Sequence, residues 1–125
     1  MKKIVRKHTV LEVYRRGFAA AMSFFESSRS FPMEERYSLI DQGRRATRSV
    51  CANITEAWRK RRYPLAFISK LSDAEAEVAE SQTWLEFSVK CGYLSRDEGR
   101  RLYKEYDEII AMIVSMIVNV EKWKL

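Results

Sequence analysis

Residues 64–91 read PLAFISKLSDAEAEVAESQTWLEFSVKC, a long uninterrupted helical pattern. Phe67, Leu71, Ala74, Val78, Ser81, Leu85 and Ser88/Val89 recur at intervals of three and four, the rhythm of one buried helical stripe. Tyr63-Pro64 opens the run, because proline has a fixed φ and no N–H to lose in a first helical turn. Gly92 follows as a residue suited to the left-handed C′ position. At 1.5 Å per residue such a helix is about 40 Å long. A rod of that length with a single apolar stripe needs partners of similar length to cover it.

The flanking sequence supplies three. A helix is expected over about 33–62, after the break at Phe31-Pro32, with Glu34 and Glu35 near its positive dipole end. Its inward positions, Leu39, Gln42/Gly43, Ala46, Val50, Asn53/Ile54 and Ala57, are mostly small and permit close helix approach. A first helix over about 9–28 presents Val10, Tyr14, Gly17, Phe18, Ala21, Phe25 and Ser28 at helical spacing. Ser95-Arg96-Asp97-Glu98 fits the S-x-x-E capping box and starts a fourth helix, about 96–123, with Leu102, Tyr106, Ile109, Ile113, Ile117 and Val120 inward. Four long helices joined by short connections predict an all-α, antiparallel up-down-up-down four-helix bundle in a single domain spanning residues 1–125.

Composition agrees. The 125 residues are 46% hydrophobic and 32% charged, which excludes wholesale disorder, and 4 Gly with 2 Pro are too few for a turn-rich β sandwich. The longest apolar run, Ile109–Val120, is far short of the roughly 20 residues of a membrane span. Met1–His8 is basic without the apolar stretch of a signal peptide behind it, so a cytoplasmic protein with Cys51 and Cys91 as two buried free thiols is expected.

Some residues exceed what one bundle can bury. Ile110, Met112, Val114, Met116 and Val118 flank the inward set of the fourth helix, and Met22 and Phe24 do so in the first. A helix apolar on most sides is buried on most sides, so these residues are expected to form a contact between copies, the other reading being a locally thick core. Charge is also uneven. Between Gln42 and Arg62, Arg44, Arg45, Arg48, Arg59, Lys60, Arg61 and Arg62 face one acid, Glu56. Between Pro64 and Cys91 the balance inverts, with Asp73, Glu75, Glu77, Glu80 and Glu86 against Lys70 and Lys90. Either the two helices pair their opposite charges, within a chain or between copies, or the seven cations, with Lys2, Lys3, Arg6 and Lys7, offer polyanions a phosphate-binding surface. Trp58 and Tyr63 flank the Arg59–Arg62 run and are candidates for stacking on bases or for local packing.

Chemistry is poorly provided for. His8 is the only histidine and lies ahead of the bundle, so neither a di-metal carboxylate site with its Glu-x-x-His pairs nor an imidazole-based nucleophile relay is expected. Two cysteines do not make a four-ligand zinc site, and no Gly-rich phosphate loop is present. Gln42, Ser49, Asn53 and Glu56 suggest a polar network along the second helix that fixes register rather than performs chemistry. No catalytic residue, metal or cofactor is expected.

The stretches Phe31-Pro32-Met33-Glu34-Glu35-Arg36-Tyr37-Ser38-Leu39, Gln42-x-Arg44-Arg45-Ala46-x-Arg48-Ser49-Val50 and Asn53-Ile54-x-Glu56-Ala57-Trp58 resemble the bacterial four-helix-bundle family first noticed as products of intervening sequences in large-subunit ribosomal RNA genes. Phe67, Leu71, Ala74, Glu77, Glu80 and Gly92-Tyr93-Leu94 extend the similarity. The resemblance implies a cytoplasmic bundle assembling as a ring-like homopentamer. The chain is more distantly similar to the accessory variability protein of diversity-generating retroelements, a basic pentamer that binds nucleic acid and a reverse transcriptase. Motif agreement with that protein is poor, so a reverse-transcriptase partner is not expected. Gly43 stands where the family more commonly has an aliphatic residue, and Ala57-Trp58 replaces a Gly-containing end. Two functions follow as expectations: a non-enzymatic oligomer that binds RNA or DNA through its basic clusters, or a structural adaptor whose charged faces assemble the ring and dock another protein.

Overall fold

The computed structural model describes residues 7–125. Its long helices are α1 (Glu12–Ser28), α2 (Leu39–Arg59), α3 (Pro64–Lys90) and α4 (Arg96–Val118), followed by one more turn, α5 (Val120–Trp123). Among the described residues there is no strand. Each long helix packs along the next, and α1 closes the square on α4. Neighbours run in opposite directions, as their contacts require. Phe24 of α1 meets Gly43 of α2 while Gly17 meets Cys51. Glu56 of α2 pairs with Lys70 of α3, while Leu39 and Gln42 share a groove with Trp84 and Phe87 at the other end.

The α3 stripe is the axis of the core: Phe67, Leu71, Ala74, Val78, Ser81, Leu85 and Ser88 are all buried. The end signals act as their chemistry demands. Pro64 sits in the first turn of α3. Gly92, at φ 81°, lets the Tyr93 amide donate to Ser88 O at 2.9 Å and the Gly92 amide to Val89 O at 3.0 Å, a Schellman closure. Ser95 Oγ accepts from the Glu98 amide at 3.1 Å, capping α4.

Three expectations are corrected. The face of α1 turned inward is Val13, Gly17, Ala20, Phe24 and Ser28, whereas Val10 is exposed and Phe18 is 52% exposed. The more apolar stripe Tyr14–Phe18–Phe25 is rotated by about one residue, roughly 100°, toward the α2 flank. Small residues win the inward positions because α2 approaches closely there. An ideal Cβ on Gly17 would touch Cys51 Sγ at 3.4 Å. Helix α2 starts at Leu39 rather than near residue 33: Met33–Glu35 form a separate 3-10 turn, and Phe31 is drawn into the core against Phe24, ring centroids 6.0 Å apart. Cys51 is buried, as expected, but Cys91 is exposed where α3 ends.

Of the residues assigned to a contact between copies, Phe24 (1% exposed) and Met116 (6%) belong to the core instead. Phe24 fills the space left by Gly43, and Met116 lies on the same inward stripe as Ile109 and Ile113. Met22, Val114 and Val118 are exposed, and Ile110 and Met112 are half-buried. The α1–α4 seam is tied by Arg16, whose Nε donates to Glu105 Oε1 at 2.6 Å and whose second nitrogen reaches Glu108. No helix is long and apolar enough to cross a membrane among the described residues.

Candidate nucleic-acid interface

The cations of α2 divide by the face their spacing gives them. Lys2, Lys3 and Arg6 lie outside the described residues, and Lys7 is exposed. Arg45, Arg48, Arg59, Lys60 and Arg62 are exposed, whereas Arg44 and Arg61 are half-buried. None of the seven closes an ion pair among the described residues. The one bridge between α2 and α3 has the opposite polarity, acid on α2 and base on α3: Lys70 Nζ lies 3.2 Å from Glu56. Arg45 acts on Glu77 only at longer range. Burial first, then Glu80 and Asp73, hold that carboxyl above its ordinary value, and Arg45 opposes them. Of the two readings of this charge pattern, pairing of a basic second helix with an acidic third within one chain is therefore not what the side chains do.

Carbon rings hold several of these guanidinium groups in place of carboxylates. Phe25 on the outer flank of α1 has Arg44 4.7 Å from its centroid, with Arg48 and Arg29 each at 5.9 Å. Arg44 Nε also donates to Ser28 Oγ at 2.9 Å, which fixes its approach. Arg29 reaches Glu26 at 3.6 Å, the only carboxylate in the group. Three guanidinium groups converge on one phenylalanine, each free to present its remaining N–H donors to an anion. Arg29 and Phe25 are additions to the expected site. The signal for them was present, since Arg29, the residue that caps α1, follows Phe25 by four and so shares its face.

At the other end of α2, local packing is the reading of Trp58 that holds. Trp58 is 2% exposed and packs edge-on against Trp123, centroids 6.1 Å apart, so it is no platform for a base. Arg61 covers its ring at 3.5 Å and donates Nε to Trp58 O at 2.8 Å, closing the last turn of α2. Burial, and then the neighbouring Arg59 charge, lower the Arg61 pKa from its ordinary value. Arg61 is thus a structural cap, and Arg59, Lys60 and Arg62 are the exposed part of the run. Tyr63 remains exposed beside them. The proposed network of Gln42, Ser49, Asn53 and Glu56 does not converge: Asn53 bonds the Ser49 carbonyl at 3.0 Å, and Glu56 turns to Lys70.

Among the described residues no group of three or more His, Cys, Asp or Glu side chains is placed to hold a metal. The Cys51 thiol is pushed up to about 11 by burial, the reverse of an activated nucleophile.

No curated protein matches the chain significantly. A crystal structure of a protein of unknown function from the S23 ribosomal protein family of Bacteroides thetaiotaomicron is similar, at 25% identity and a TM-score of 0.75, covering 84% of this chain and 97% of that one. The profile of the 23S rRNA-intervening sequence proteins matches residues 9–115, which takes in all of α1, α2 and α3 and most of α4. The chain belongs to the 23S rRNA-intervening sequence protein family.

Proposed function

We propose that this chain is a non-catalytic, oligomeric nucleic-acid-binding protein of the cytoplasm that contacts phosphates through the outer face of α2 and the arginines gathered on Phe25. The observation that carries this reading is that, among the described residues, none of the seven cations between Arg44 and Arg62 closes an ion pair, although α3 beside them holds five acids; six of them, all but the capping Arg61, remain to meet an anion. Cations that are positioned but not neutralised gain most by releasing the counterions of a polyanion. Base readout is not provided for, so binding is to the backbone and tolerant of sequence.

The apolar surface supports association of copies. Phe18 and Met22 are exposed on α1. Val114 and Val118 are exposed on α4. Phe18 lies toward the α2 flank, whereas Ile110 and Val114 continue the α3-facing side of α4. Two unlike patches on different faces suit head-to-tail contacts, which close into rings when the rotation allows. A ring-like homopentamer, as the family resemblance implies, is the assembly we infer.

The test is light scattering coupled to size exclusion, followed by binding of mixed-sequence RNA and DNA across a salt series. The expected result is a closed oligomer that binds both polymers at about 50 mM salt and weakens steeply as salt rises. A monomer, or no binding at that salt, refutes the corresponding half of the proposal. Retained assembly and a protein partner lost on Arg59→Glu/Arg62→Glu, with nucleic acid ignored, would establish the adaptor function instead.

A further inference from the structure

A second cationic surface lies on the opposite side of the square, where α3 ends and α4 begins. Arg96, Arg100 and Lys104 are spaced by four residues, so they form one row along α4, and Lys90 faces them from the last turn of α3. They rim a concave groove of about 540 Å³ whose floor includes Leu85, Val89 and Tyr103. All four cations are exposed and none makes an ion pair among the described residues, in contrast to Arg101 one position away, which Glu98 holds at 3.0 and 2.5 Å. The two carboxylates in the lining are Glu86 and Asp107. Asp107 is partly engaged by Gln82 Nε2 at 2.8 Å, and the same nitrogen donates to Tyr103 O at 3.1 Å, bracing the wall of the groove.

We infer that this groove holds the backbone of a single-stranded nucleic acid, with Arg96, Arg100 and Lys104 on successive phosphates and Tyr103 beside an unstacked base. The inference rests on the nucleic-acid reading above and names where a strand is held. Its geometry is that of a ladder: residues four apart rise about 6 Å along a helix, close to the spacing of successive phosphates along a strand, and a base free to lie on Tyr103 is what a single strand offers and a duplex does not. A concave apolar floor with a half-exposed aromatic adds the stacking surface on which single-strand binding proteins rely. The free guanidinium and ammonium groups supply the electrostatic track.

The experiment measures fluorescence anisotropy of labelled oligo(dT) and oligo(rU), about 20 nucleotides long, and of a duplex of equal length, against the full-length protein. Two variants are compared: Arg96→Gln/Arg100→Gln/Lys104→Gln in the groove, and Arg45→Gln/Arg59→Gln/Arg62→Gln on α2. All six side chains are exposed, and a thermal melt and the oligomeric state check that each variant folds. With about 0.7 counterions released per phosphate on a single strand, loss of three contacts makes the groove variant's log–log salt slope shallower by about 2. Its affinity for the single strand falls tenfold or more at about 100 mM salt, and by a smaller factor for the duplex. Unchanged single-strand affinity in the groove variant, alongside loss in the α2 variant, overturns the groove assignment and leaves the function standing. Equal loss for strand and duplex also overturns it. Absence of binding by the unaltered protein at about 50 mM salt removes both.

Discussion

Gly43→Ala tests how the α1–α2 seam is built. An ideal Cβ at residue 43 would stand 2.3 Å from Phe24 Cζ and 2.4 Å from Cε1, far inside van der Waals contact. The ring has little room to retreat, since Phe24 is almost fully buried and meets Phe31 edge-on. Overpacking of this kind costs about 1–3 kcal/mol, while exchanging glycine for alanine inside a helix returns about 1 kcal/mol. The net expectation is a loss of up to about 2 kcal/mol, read as a lower midpoint in urea unfolding at unchanged slope. Phe24→Leu removes the clashing ring atoms, so the same Gly43→Ala change made in that background is neutral or stabilising by up to about 1 kcal/mol. The double-mutant cycle then gives a coupling of about 1–3 kcal/mol. If Gly43→Ala alone raises the midpoint, or if the two changes simply add, the ring is not held as described and the argument for close α1–α2 approach fails.

Two further outcomes are expected. Tyr93 Oη donates to Glu35 Oε2 at 2.9 Å, and hydrogen bonds from Ser38 and then Tyr93 hold the Glu35 carboxyl below its ordinary range. A depressed folded-state pKa contributes stability above the unfolded value, near 4.3, and loses it as pH falls through the folded one. Urea midpoints should therefore show Tyr93→Phe less stable than the unaltered protein at pH 7, with the gap closing as pH drops below about 4; a gap constant with pH contradicts this. Titration with a thiol reagent should label one cysteine, Cys91, in the native protein and Cys51 only after unfolding; two rapid equivalents in the native state would contradict the burial of Cys51.

How much could be read from the residues depends on whether one stripe dominated its helix. Along α3 the large apolar positions and the small ones agree on a single face, and every residue placed inward is buried, save the alternative Val89, which is half-buried. Along α1 two stripes compete. Tyr14, Phe18 and Phe25 are the greasier, but tight packing against Gly43 and Cys51 selects Gly17, Ala20 and Phe24, a preference set by the neighbour and invisible in the helix's own periodicity. Phe24, read as surplus, is core for the same reason, whereas Met116 is core because it continues the stripe of Ile109 and Ile113. The cations of α2 were legible because they crowd in sequence. Arg96, Arg100 and Lys104 were not, because Asp97, Glu98 and Glu105 are interleaved with them in the chain and cancel their charge in any local count. Only the turn of the helix sorts the signs onto separate sides, with Glu105 drawn to Arg16 across the α1 seam.

The arginines around Phe25 carry a consequence for the resting protein. Arg29, Arg44 and Arg48 share one aromatic ring with a single carboxylate, Glu26, among them. Folding therefore brings like charges together, and dissolved ions relieve that mutual repulsion. The same ions compete for any bound phosphate. Ionic strength thus acts on this corner of the molecule itself: brine firms the bundle by screening its gathered charges, while dilute buffer leaves the corner tense.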